Sequence, residues 1–585
     1  LVAAPTLTVA TRLLGPEPTA DASPLSPGVA DVMDLGEVLM LAALPTSHLL
    51  VLEVGQDGAV RLQLPRAEVG QGITTAVGML VAEEMDLPLH RVRVALANAR
   101  PELMFNQLTA SSNTIRTVYE PVRSAAAFAR ARLVAAAAGQ WGVPGVRLST
   151  RDGAVVAPDG RTASYGSLSR AAADTALPSD RVAPKPESEH TLVGTPTSRV
   201  DARAMVTGTL KYTLDLAVPG AMPTVVRRPP TINGTVRSVD DAAARGMPGV
   251  LGITVIPTGV AVMAETFGQA IEARDALRVV WNGGTIDGLS DDDIRARLRA
   301  AALPFLVPGV TGHLDAEFDH AFVSHAPLET NCAVADVRAD RAEIWTSSKS
   351  PIQAKAAIAR ALGLPDGTVT LHVTQAGGSF GRRLFFDAAL EAAQVSKALG
   401  RPVKLMWTRV DDTRHGRARP ASHHKLRATF GLGRVLTFEH RVAAVETDMR
   451  HGVGDAITAV AGGLPGGNTA ITQFLFHTTV KVPYDLGVVT HLLNEVPLRM
   501  HTASWRSVYS GAARGSEEMF VDEIAATLGK DPVAYRRSVL TGPRQRAVLD
   551  KVASAGRWGR AMPRGFAQGV GFHDEYKSCT ACLVE

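Results

Sequence analysis

Cysteine is scarce in this chain of 585 residues: Cys332, Cys579 and Cys582 are all it has. Three thiols cannot build a disulfide framework. They also fall short of the four thiolates a conventional [2Fe–2S] cluster takes. Cys579 and Cys582 form a CxxC, but a single such pair is weak ground for zinc and reads as a chance spacing. Long apolar runs are missing too. Nothing reaches the ~18 consecutive apolar residues of a membrane span, and the uncharged run 250–264 is broken by Pro257 and Gly259 into what read as two short strands. The sequence has no GxGxxG, no GxxxxGK[ST] and no HExxH, which argues against NAD, FAD or ATP held in the usual way. An excess of one charge is absent as well. Lys+Arg 61 against Asp+Glu 57 leaves +4, a small imbalance that gives nucleic-acid binding no support.

What remains is an ordinary globular composition, 46% hydrophobic and 20% charged, long enough for about four lobes. Residues 1–14 are apolar and rich in Ala and Thr, either a signal-peptide remnant or a loosely packed arm. Residues 15–45 read as a Pro- and Ala-rich linker. Two strand-like runs flank Asp57-Gly58, a hairpin signal, and helices are predicted over 73–85 and 120–141. A Pro- and Ser-rich boundary covers 175–198. From 199 to 290 the elements are short and mixed: strands at 211–212, 224–228 and 279–281, and helices at 239–245 and 268–277, which predicts an α+β domain. A third region runs from about 310 to the end. It holds a helix at 351–363 with Ser350 as N-cap and Pro351 at N1, a strand at 368–375, and a helix at 383–399 ending at Gly400.

The best local motif is Gly377-Gly378-Ser379-Phe380-Gly381, between that strand and that helix. As GxSxG it matches a nucleophile elbow, with Asp411 or Asp412 and His423 or His424 able to complete a Ser…Asp…His order. Alternatively its N–H groups, entering a helix N-terminus, cradle an anion, and Arg382 and Arg383 suit phosphate. A tight turn without a ligand is the third reading. Gly70-Gln71-Gly72 repeats the layout, and Gln71 offers an amide to a polar heterocycle or an oxo group. Two such turns suggest one large anionic ligand clamped between lobes. Arg506 stands in a polar loop without acidic neighbours, the His325 loop reads as satisfied, Arg409 as a solvated strand end, and Glu517, Glu518, Asp522 and Glu523 as a solvated helix face.

In order, AEVGQGITT, RVDARAMVTGTLKYTLD, SHAPLET, GGSFGRR, VKLMWTRVDD, ASWRSV and MFVDEIAATLGKDPVAYR resemble the molybdenum-binding large subunit of the xanthine-oxidase-type hydroxylases. The similarity is nearest to the branch of the isoquinoline 1-oxidoreductase beta chain, which includes aldehyde and nicotinate dehydrogenase large chains, and it runs from about residue 45 to the end. The resemblance implies an α+β / α/β architecture. A hammerhead domain would occupy 199–290, and a multi-lobed cofactor-binding domain 46–185 and 310–585. It implies molybdopterin cytosine dinucleotide lying along Gly70, Gln71 and Gly72, along Gly377, Gly378, Ser379, Phe380, Gly381 and Arg382, and near Ser578 and Ala581. The pterin dithiolene would hold the metal, so no protein ligand is expected. The Phe380 N–H would face the metal's oxo group, and Arg506 would orient substrate or stabilise developing charge.

The implied reaction hydroxylates an aldehyde or an electron-poor N-heterocycle at carbon, with oxygen from water. Electrons would leave through a separate small [2Fe–2S] subunit, in this branch often to a cytochrome c; the chain itself would carry neither FAD nor an Fe–S cluster. Export by a twin-arginine signal is common in the branch, so the periplasm is expected, with the cytoplasm as the alternative. The departures are specific. The family's catalytic Glu lies in a Gly-Glu-x-x-Gly-like segment near the C-terminus, and none appears here. Lys349 stands where a Gln near the metal is usual, TASSN (109–113) replaces a more glycine-rich turn, and Thr330 replaces a Pro. The expectation is a fragment or a decayed relative, with the activity of the isolated chain open. A serine hydrolase using Ser379 and an inactive, cofactor-free scaffold are the rival readings.

Overall fold

The computed structural model describes residues 7–9, 29–177, 182–306, 312–453 and 455–585. The remaining residues, which include most of the expected N-terminal arm, lie outside the described residues.

The runs around Asp57-Gly58 pair as predicted. Leu52–Val54 and Val60–Leu64 are antiparallel, and Gly58 turns at φ +73°. Val60–Leu64 also runs parallel to Val92–Leu96. The helices Ile73–Glu84 and Thr114–Trp141 pack on this sheet through Val77, Val81, Val118, Val122 and Leu133.

A seven-stranded sheet forms the middle layer, in the order Val250–Ile256, Gly259–Ala264, Met222–Arg227, Val403–Met406, Cys332–Val337, Ala342–Thr346, Val369–Val373. Met222–Arg227 runs parallel to Val403–Met406, so hydrogen bonds of one sheet cross the boundary expected between 290 and 310. The helices Pro351–Leu362 and Asp387–Leu399 bury Ile358, Leu362, Ala392 and Val395 against it.

The third layer is the sheet of His313–His320, Ser422–Gly431, Arg434–Val445 and Val488–Val496, covered by the helix Ser510–Thr527. The hairpin of Gly569–Glu575 and Ser578–Val584 closes on the same core.

Local reading differs from the structure at several elements. Residues 211–212 are not strand; a 3₁₀ turn, Thr213–Asp215, follows them. The helix expected at 239–245 is a strand, Thr235–Asp240, then a single turn, Ala242–Arg245. Within the expected linker lies the helix Leu35–Ala43, whose start is fixed by a reciprocal capping box between Asp34 and Glu37. Arg409 is not a strand end. It begins the short helix Arg409–Arg414, pairs with Asp412 and donates to the carbonyls of Pro327 and Leu328.

The acidic face of 517–523 is only partly solvated. Glu517 is buried, accepts from His440 Nδ1 and His491 Nε2, and pairs with Arg514 at 2.7 Å. Burial opposes its charge, but Arg514 and the two histidines outweigh that and hold its pKa well below the usual carboxylate value.

One buried carboxylate ties the middle sheet to its helix. Glu391 takes both Arg228 Nη atoms at 2.7 and 2.8 Å, Trp407 Nε1 at 2.7 Å and Thr258 Oγ1 at 2.6 Å. Arg228 also stacks 3.8 Å from the Trp407 ring centre. Removing one partner of a buried ion pair leaves the other charge unpaired, at a cost of about 3–5 kcal/mol. Glu391→Ala is therefore expected to lower stability by about that amount, read as a lower denaturant midpoint. An unchanged midpoint would show that this joint contributes nothing.

Candidate functional site

Phe380 and Gly381 of the GGSFG turn come together with Arg506 on the wall of one cavity of about 490 Å³. The strand Val369–Val373 delivers the turn. Ala376 N–H donates to the Glu68 carbonyl at 3.1 Å, and Gly377 N–H to Glu329 Oε2 at 3.0 Å. The next four amides, those of Gly378, Ser379, Phe380 and Gly381, donate to nothing among the described residues. Gly378, Phe380 and Gly381 have φ of +103°, +53° and +105°. Successive N–H groups in such a left-handed run form a concavity suited to an anion.

Gly381 cannot be replaced without displacing its neighbour, because a Cβ there would sit 1.9 Å from the Ser504 carbonyl oxygen. That approach seats the second half of the site. Arg506 N–H donates to the Phe380 carbonyl at 2.9 Å, and its guanidinium carbon lies 4.4 Å from the Phe380 ring centre and 5.2 Å from that of Trp505. Arg506, Ser507 and Val508 all have positive φ, a strained run held by Trp505 Nε1 donating to the Ser324 carbonyl. Arg506 carries no carboxylate partner among the described residues.

Other expected contacts are redistributed. In the Gly70–Gly72 turn, the buried Glu68 carboxylate accepts from the N–H groups of Gly70, Gly72 and Thr74 at 2.9, 3.0 and 3.2 Å. Gln71 braces its own turn, accepting from Val69 N–H and donating to the Ala67 carbonyl. An internal carboxylate thus takes the place that an external anion would need. The turn supports the site from behind, through Glu68 to Ala376 and through Ala67 N–H to Thr109 Oγ1.

Arg382 is buried and bonded to Asp387 at 2.7 Å, away from the cavity wall. The α-helix expected to start at 383 starts at Asp387, after the 3₁₀ turn Arg382–Leu384, so the glycines do not point into a helix N-terminus. Ser578 lines the cavity, whereas Ala581 packs into the core under the hairpin. Cys579 and Cys582 are three apart on one strand and so face opposite sides of the hairpin.

The nucleophile elbow is not assembled. Ser379 is buried, and its Oγ accepts from Arg383 N–H at 3.3 Å. His423 bonds Asp319, His424 lies between Ser422 and His440, Asp411 caps its own helix, and Asp412 accepts from Asn331.

Residues 29–205 and 311–540 each match a family model described as a molybdopterin cofactor-binding domain. The chain belongs to the molybdopterin-binding large-subunit family of molybdenum hydroxylases. It is 29% identical to the beta chain of isoquinoline 1-oxidoreductase from Brevundimonas diminuta, over 91% of this chain and 75% of that protein. It is 27% identical to a nicotinate dehydrogenase subunit from Pseudomonas putida, over 87% of this chain but 44% of that protein. The fold matches the aldehyde oxidoreductase of Desulfovibrio gigas with a TM-score of 0.50 at 16% identity, over 64% of this chain and 48% of that one.

The cavity fits the cofactor of this family. The unspent amides of Phe380 and Gly381, on its wall, offer donors to pterin or phosphate oxygens. Three buried side-chain atoms of wall residues, His451 Nδ1, His573 Nδ1 and Glu575 Oε1, have no protein partner among the described residues. Leu35, Leu39 and His451 were not legible as wall residues in the sequence. The capping box at Asp34 and Glu37 was the one signal that would have brought the first two into an ordered element. Lys349, a departure from the family pattern, also stands on this wall.

Beneath the cavity runs an ionic layer. Asp387 accepts from Arg382 and Arg417, and Arg417 also bonds Asp448 at 2.9 Å and stacks on Phe385. Burial tends to raise the Asp387 pKa, but Arg417 and then Arg382 outweigh it and leave the carboxyl well below its ordinary value. A carboxylate with a lowered folded pKa contributes stability above its unfolded value near 3.9, and this is lost as pH falls below that. Asp387→Asn should therefore destabilise the chain at pH 7 and narrow its stability difference from wild type below about pH 4. Thermal unfolding at pH 7 and pH 3.5 reads both effects; a pH-independent difference would refute the assignment.

Proposed function

We propose that this chain holds the cofactor and substrate end of a molybdenum hydroxylase. The enzyme oxidises an aldehyde or an N-heteroaromatic at carbon, takes its oxygen from water, and passes electrons to a separate [2Fe–2S] subunit and on to a cytochrome c. Molybdopterin cytosine dinucleotide is the proposed form of the cofactor, and the periplasm the proposed location, both on the resemblance to the isoquinoline 1-oxidoreductase branch. One observation carries the reading: the unspent amides of Phe380 and Gly381 and an arginine without a counter-ion among the described residues meet on one cavity wall.

The family's cofactor supplies two-electron redox chemistry at carbon when bound. Phe380 and Gly381 would hold it by main-chain donation, as expected for an anionic, oxygen-rich ligand. Phe380 carries its amide and its ring on the same residue, so the amide faces the bound group while the ring supports Arg506. Arg506 is fixed at its main chain by the Phe380 carbonyl. Its guanidinium would orient the substrate and offset negative charge that develops on it. The apolar walls exclude water, which strengthens that interaction.

The test is to co-produce the chain with a small [2Fe–2S] subunit, assay molybdenum and released CMP, and compare wild type with Arg506→Ala. Losing one preorganised charge-stabilising donor costs about 10²–10³ in turnover. The variant is expected to lose at least that much while keeping its molybdenum. A wild-type complex without molybdenum, or a variant with undiminished turnover, would overturn the reading.

A further inference from the structure

We infer that the cavity selects substrates bearing a carboxylate, and that Lys349 is the residue that recognises it; the inference deepens the hydroxylase reading and rests on it for the word substrate. The backbone of Lys349 is pinned on both sides, its N–H donating to the Arg383 carbonyl at 2.7 Å and its carbonyl accepting from Thr109 N–H at 2.9 Å. The side chain therefore starts from a fixed point on the cavity wall, next to the turn that carries Phe380 and Gly381.

Among the described residues its ammonium has no hydrogen bond and no carboxylate partner. Burial alone lowers its pKa, to about 8, and no acidic group offsets this. Glu575, the one carboxylate on the wall among the described residues, is engaged at Oε2 by Ser510 and His573, while its Oε1 has no protein partner among them. Lys349 is near enough to His325 for its charge to act on that ring, and His325 Nε2 lies 3.2 Å from the place a Cβ on Gly381 would take.

Lys349 is half-buried, and a cation held without a counter-ion on an apolar wall is costly unless a ligand supplies the opposite charge. The surroundings define that ligand. Leu35, Leu39, Leu108, Leu384, Met449 and Leu475 make most of the lining apolar, which suits a flat hydrocarbon or heteroaromatic body. A single ammonium matches a single carboxylate, and Arg506 stands on the same wall as a second cation that can hold the reacting end.

The same cationic chemistry could instead serve a phosphate or oxo group of the cofactor, so the test separates the two. Benzoate and benzamide share shape and differ in charge, and their binding to the purified complex can be compared by calorimetry. A charge-assisted hydrogen bond commonly amounts to about tenfold or more in affinity. Wild type is expected to bind benzoate at least about tenfold more tightly than benzamide. Lys349→Met should abolish that preference while leaving benzamide affinity and molybdenum content within about twofold, and Lys349→Arg should restore most of it. Equal binding of the two probes by wild type, or a preference that survives Lys349→Met, would overturn the inference. Loss of molybdenum from Lys349→Met without any benzoate preference in wild type would overturn it as well, by assigning the lysine to the cofactor. A complex that lacks molybdenum yet prefers benzoate through Lys349 would sink the hydroxylase reading and leave the carboxylate pocket standing.

Discussion

The contact between Gly381 and the Ser504 carbonyl is the constraint on which the site depends. The two segments meet so closely that any side chain at 381 would occupy the space of the carbonyl oxygen. That closeness lets Arg506 N–H reach the Phe380 carbonyl and lays the guanidinium on the Phe380 ring. Residues 504–508 come from a loop more than a hundred positions beyond the glycine turn, and they keep a backbone run of positive φ that an isolated peptide would not hold. The surrounding structure carries that strain through His325, whose ring nitrogens lie 2.8 and 2.9 Å from the carbonyl oxygens of Arg417 and Ser504.

Charge is arranged in two tiers around this contact. Below the cavity, Arg382 and Arg417 share Asp387, Arg383 is held by Glu329, and Arg228 by Glu391, so these buried cations are matched by carboxylates. On the wall itself, Lys349 and Arg506 have no carboxylate among the described residues. The difference separates arginines that build the floor from cations that face a ligand. It also explains why Arg382, placed beside the glycines in the sequence, is not a ligand-facing residue: its partner Asp387 is five positions on and turns it inward.

The two glycine turns look alike as text, yet the structure uses them differently. Glu68 lies two residues before Gly70, and its carboxylate folds back onto the amides of the first turn. The second turn has no acidic residue so placed, and its amides stay unspent. Similarly, GxSxG matches a nucleophile elbow only as a pattern. Its hydroxyl accepts from a backbone amide, and the histidines that could serve it belong to another sheet with partners of their own.

Much of the architecture was legible from local patterns. The hairpin at Asp57-Gly58, the helices Ile73–Glu84, Phe267–Ala276 and Pro351–Leu362, and the paired strands within 250–264 each follow from periodicity bounded by Gly or Pro. The joint order of GQG, GGSFGRR and WRSV pointed to the family, because those segments keep their identity however the chain folds between them. What the sequence could not show is which amides and charges would be left over. That Glu68 neutralises one turn, that Glu517 is buried among histidines, and that the Lys349 ammonium has no partner among the described residues are outcomes of how the packed chain pairs its groups. A residue type states what a group can bond; only the packed fold decides whether a neighbour has already taken that bond or a ligand is left to supply it.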